Sequence, residues 1–144
     1  MKHLSWLTLA LVLFVAGTAD AARPRVFGTI VVTLDPQGAE LAGWQLRADF
    51  GKSDARIVGI EGGKHAAFAE PPHYDPEALN TGEIILAALS SHEELPTGAT
   101  VVAVIHVEHD RSGLPPLEIS EVVAVGADGN EIQVTVDQEN GDLR

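Results

Sequence analysis

Beyond residue 25 the dominant pattern is alternation of apolar and polar positions with a period of two. Over residues 26–34, Ile30, Val32 and Leu34 alternate with Thr29, Val31 and Thr33, a β-branched run that predicts a strand. Asp35-Pro36-Gln37-Gly38 follows as a turn. Trp44, Leu46, Ala48 and Phe50 then alternate with Gln45, Arg47 and Asp49, the cleanest amphipathic strand in the chain. After Gly51-Lys52-Ser53-Asp54, residues 56–61 predict a third strand ended by Gly62-Gly63. Residues 83–90 are nearly all apolar and predict a strand buried on both faces. A short helix competes there, but Gly82 and the pair Ile84-Ile85 favour a strand. Residues 100–107 predict a strand with Val101, Ala103, Ile105 and Val107 on one face and Val102, Val104 and His106 on the other. Residues 117–125 and 131–136 complete the series, joined by a hairpin turn at Ala127-Asp128-Gly129-Asn130. Ile132, Val134 and Val136 form the inward face of the last strand.

Seven or more strands with frequent Gly and Pro punctuation predict an all-β chain, a β-sandwich of the jelly-roll or immunoglobulin-like kind. Residues 64–81 interrupt this rhythm with Pro71, Pro72 and Pro76 and predict a long ordered loop. Asp75-Pro76-Glu77-Ala78-Leu79 within it predicts one helical turn, with Asp75 as its N-cap.

The first residues follow another logic. Lys2 and His3 precede an apolar run from Leu4 to Val15, and Ala19-Asp20-Ala21 offers a small-x-small cleavage site. Residues 1–21 are expected to be a cleaved signal helix, and 22–144 the mature domain, exported to the periplasm or the medium. An uncleaved anchor is the competing reading, but the run is short for a membrane span. Cleavage removes Lys2 and Asp20 together, so the net charge of -12 is unchanged.

Composition narrows the roles. The chain has no Cys, which excludes disulfides and Cys-ligated metals. An acidic chain offers no footprint for nucleic acid or for an anionic membrane surface. It is compatible with calcium without demanding it; no cofactor is expected. At 45% hydrophobic residues it can build a core.

Candidate chemistry is sparse. No Gly-x-Ser-x-Gly elbow and no phosphate-cradling glycine loop occurs. His106, Glu108 and Asp110 would share one face of a strand, with His109 opposite. They would form a metal-binding or hydrolytic site, or else a polar strand end; their spacing matches no usual zinc ligand set, which favours the strand end. The long loop carries His65, Phe68, His73, Tyr74 and Asp75, the candidate binding residues. The alternative is a loop whose Phe68 and Tyr74 plug the end of the sandwich. Trp44 alternates with core positions and is expected inside, leaving too few aromatics for a flat sugar-stacking strip.

The succession of residues 41–50, LAGWQLRADF, and 55–63, ARIVGIEGG, resembles the cohesin domain. Residues 83–90 look like its buried middle strand, and Leu95-Pro96-Thr97-Gly98 with residues 101–107 like its next turn and strand. Residues 122–132 resemble its closing segment. The resemblance implies a jelly-roll sandwich related to carbohydrate-binding modules, acting as a non-catalytic receptor. In that family the partner is a dockerin, in assemblies that degrade polysaccharide. The expectation is therefore a binding module, not an enzyme, recognising a dockerin-like protein or a polysaccharide.

Overall fold

Seven strands carry the chain through residues 23–141, which the computed structural model describes. They are β1 (Arg25–Asp35), β2 (Leu41–Asp49), β3 (Arg56–Gly62), β4 (Glu83–Leu89), β5 (Thr100–Asp110), β6 (Glu118–Gly126) and β7 (Thr135–Gly141). One sheet has the order β3-β5-β1-β7 and the other β4-β2-β6, with every pairing antiparallel. The all-β sandwich expected from the alternation is thus the observed architecture. The signal helix expected over residues 1–21 lies outside the described residues.

Consecutive strands never share a sheet: the odd-numbered strands build one layer and the even-numbered strands the other. Each connection therefore passes between layers, and the two inward faces meet as a single core. Ile30, Val32 and Leu34 of β1 and Ile105 and Val107 of β5 face Trp44, Leu46 and Ala48 of β2 and Ile84 and Leu86 of β4. Burying each of the Ile, Val and Leu side chains among them stabilises the fold by about 1.5–3 kcal/mol.

Three details depart from the alternation. In β5, Val32 pairs with Ala103 but Thr33 pairs with Val101, so one extra residue is accommodated between them. This bulge turns Val102 into the core beside Ala103 and leaves Val101 half-buried. Strand β4 is buried on one face only, because among the described residues nothing covers the outer side of its sheet. Ile84 and Leu86 are inside, while Ile85 and Leu89 are 47% and 80% exposed. The last strand is not 131–136. The turn at Ala127–Asn130 forms, with Gly126 N–H donating to Asn130 O and Ile132 N–H to Ala124 O. The chain then leaves that sheet, and Thr135–Gly141 pairs with β1 in the other. Ile132 and Val134 pack against the core from the crossing segment, and Val136 is exposed.

The long loop is ordered by close approach to β5 and β4. A side chain on Gly63 would collide with the Val101 carbonyl, so glycine lets the loop backbone lie against the strand. The expected turn after Asp75 is a 3-10 turn, Pro76–Ala78, and a second, Ala66–Phe68, precedes it.

Candidate binding face

The five loop residues singled out from sequence have local structural partners or lie inside. Phe68 is buried in the core, edge-on to Trp44 with ring centroids 6.5 Å apart. His65 caps the first 3-10 turn, its Nδ1 accepting from Ala67 N–H at 3.2 Å. Asp75 caps the second, its Oδ1 accepting from Glu77 N–H at 2.9 Å. His73 exchanges two backbone hydrogen bonds with Ala87, of 2.7 and 3.0 Å, and so covers part of the free edge of β4. Its side chain is exposed, and Tyr74 next to it is half-buried against the core. The loop therefore plugs the sandwich through Phe68 and Tyr74, and of the five the His73 and Asp75 side chains are the exposed ones.

The His106–Asp110 stretch divides across β5 as the alternation predicts. His106 donates from Nε2 to Glu61 Oε1 at 2.9 Å on the outer face. Glu108 accepts from Arg25 Nε at 3.1 Å. His109 is buried on the opposite face and donates from Nδ1 to the Asp110 carbonyl at 2.7 Å. Asp110 accepts from the Ser112 hydroxyl and N–H, which hold its carboxyl below the usual range. Among the described residues no three His, Asp or Glu side chains are gathered in a way that could hold a metal.

The outer side of the β4-β2-β6 sheet is more distinctive. Strand β2 presents Gly43, Gln45, Arg47 and Asp49 outward, since Trp44, Leu46 and Ala48 point in. Register then fixes four rows across three strands: Leu89–Gly43–Val125, Ala87–Gln45–Val123, Ile85–Arg47–Ser120 and Glu83–Asp49–Glu118. The first two rows are apolar apart from Gln45, and the last is a line of carboxylates. Three of the large exposed hydrophobic residues, Ile85, Leu89 and Val123, lie on this face.

At the apolar end, Ala87, Leu89, Val123 and Val125 stand around Gly43 in a shallow concavity of about 270 Å³. Its floor requires glycine. A methyl group at Gly43 would lie 2.9 Å from Leu89 Cδ1, 3.0 Å from Val125 Cγ2 and 3.2 Å from the Ala88 carbonyl oxygen. At the other end, a bulge opposite Gln45 and Arg47 places Glu121 at a φ of 51°. That backbone conformation is rare for a residue with a side chain. It brings Glu121 within 3.2 Å of Arg47, which also reaches Glu83 at 2.8 Å. The bond to Glu83, and then that to Glu121, hold the guanidinium pKa above its ordinary value.

Sequence reading missed this face because Ile85 and Leu89 look like core residues in an apolar run. The signal that could have found it is the pairing of that run with β2, whose outward positions are all polar or glycine. Compared with protein-family models, with curated proteins and with solved structures, the chain matches none.

Proposed function

We propose that this chain is an exported, non-catalytic binding module of cohesin-like type that takes a protein partner on the outer face of its three-stranded sheet. The observation that carries the reading is the exposed aliphatic patch of Ile85, Leu89 and Val123 around the Gly43 concavity. Apolar surface left in water is unfavourable by about 25 cal/mol per Å², and a docked partner recovers that free energy. Because the patch projects from paired strands rather than loops, little ordering is needed on binding.

Two observations favour this over the alternatives. His106 and Asp110, the groups a hydrolytic or metal-dependent protein would use, are each engaged by a neighbour and face away from His109. None of the four rows of the outer face carries an aromatic ring, whereas a polysaccharide is usually held by stacking on exposed rings. Trp44, Phe50 and Phe68 are buried, and the exposed ring of Phe27 stands on β1 in the other sheet. The composition of residues 1–21 supports export.

The test is capture from the exported protein fraction with the wild type and with Leu89→Asp, followed by reconstitution with each captured protein after purification. A purified partner that binds the wild type and not the variant is the expected result. Equal binding to both, or binding only to a glycan array, would overturn the reading.

A further inference from the structure

The same face also defines the chemistry of what it receives. Resting on the docking role above, we propose that the occupant is a polypeptide segment with an aliphatic or aromatic anchor at one end and Lys or Arg side chains at the other. The anchor enters the concavity over Gly43, between Leu89 and Val125. The basic end lies over Glu83, Asp49 and Glu118.

Charge complementarity chooses this occupant. The lower half of the face holds four carboxylates, those of Asp49, Glu83, Glu118 and Glu121, against the single guanidinium of Arg47. Arg47 already bonds Glu83 and Glu121, and among the described residues the Asp49 carboxylate accepts only the Gly51 N–H at 2.7 Å. Glu118 is exposed at the end of the row. An approaching acidic or neutral segment would leave this excess uncompensated as water is removed, whereas a basic one neutralises it. A second copy of the chain fits poorly for the same reason, since each copy carries a net charge of -12.

Dimensions set the length of the segment. The rows from Gly43 to Asp49 extend about 20 Å along β2, at about 3.4 Å per residue. An extended strand of about six residues or a helix of about thirteen covers that distance. The anchor and the basic group are therefore separated by three to four turns if the partner is helical.

The experiment uses a displayed library of random peptides about fifteen residues long, selected against the full chain, with the recovered peptides then synthesised and titrated. The expected peptides pair a Leu, Phe or Trp with two or more Lys or Arg residues. Their binding is lost in Leu89→Asp and weakened about threefold to tenfold in the double variant Glu83→Gln, Glu118→Gln. It also weakens as salt rises from about 0.05 to about 0.5 M. Peptides that need Leu89 but are uncharged or acidic, and ignore the double variant, would overturn the basic partner while leaving the docking face intact. Peptides indifferent to Leu89, or no enrichment at all, would overturn both. A dimer in sedimentation that Leu89→Asp dissociates would overturn the basic partner by placing a second copy on the face. Leu89 is 80% exposed, so its replacement leaves the core untouched.

Discussion

Arg47 reaches Glu83 at 2.8 Å on one side and Glu121 at 3.2 Å on the other, so one guanidinium ties the central strand of its sheet to both neighbours. The pairs are partly solvated, and their strength depends on how well salt screens the surrounding carboxylates. Replacing Arg47 with Met keeps much of the aliphatic stem but leaves Glu83, Glu121, Asp49 and Glu118 to repel one another. Arg47→Met is expected to lower the urea midpoint at low salt, and added salt is expected to restore most of the loss. Denaturation curves at two ionic strengths check this; a loss that salt does not reduce would point to packing instead.

Neighbouring residues of β4 should differ sharply in what they contribute. Leu86 is fully buried, and Leu86→Ala is expected to cost about 2–5 kcal/mol. Ile85, one residue earlier, is 47% exposed on the outer face, and Ile85→Ser is expected to change stability by less than about 1 kcal/mol. Chemical denaturation of both variants measures the contrast. Equal losses would mean that both faces of β4 are covered.

Two turn aspartates make stability depend on acid. The Ser112 hydroxyl and N–H lower the Asp110 pKa, and the Asn130 N–H and side-chain amide lower that of Asp128. A carboxylate with a lower pKa in the folded chain binds fewer protons there than in the unfolded chain. Its contribution is complete above the unfolded value of about 3.9 and disappears as pH falls through the depressed folded value. The double variant Asp110→Asn, Asp128→Asn is expected to be less stable than wild type near pH 6 and to lose less on going to about pH 3. Urea midpoints at the two pH values give the comparison.

Glycine is required where the long loop meets β5. Gly63→Ala would drive a methyl group into the Val101 carbonyl, and overpacking of this kind costs at least about 1–3 kcal/mol. Gly98→Ala, where the added carbon meets nothing, is the control and is expected to be near neutral. Thermal unfolding of both variants distinguishes a docked loop from a loose one.

The parts of this fold that sequence revealed are those where side-chain chemistry and burial coincide. In β2, Trp44, Leu46 and Ala48 are inside and Gln45 and Arg47 outside, so alternation alone placed the central strand. Elsewhere the two separate. Val101 and Val102 are chemically alike, and only the bulge decides which is buried. Thr135–Gly141 has one large apolar residue, Val136, and forms a strand through backbone pairing with β1, which leaves little trace in hydropathy. The candidate face was hidden for the opposite reason, since Ile85 and Leu89 carry the apolar signal of a core without being in one. Asp75 was legible because an aspartate before Pro76 caps a turn in any tertiary context.

The odd-and-even division of the strands has a consequence for how the molecule comes into being. Strand β1 finds its first partner only at Thr100–Asp110 and its second at Thr135–Gly141. A copy delivered from its N-terminus therefore holds β1 as an unpaired, apolar ribbon until most of its length is available, even though β2 and β4 can pair earlier. Completion of the β1 sheet is late, and chains whose contacts join distant residues fold on the millisecond-to-second scale. In that interval the exposed ribbon must be kept from neighbouring copies.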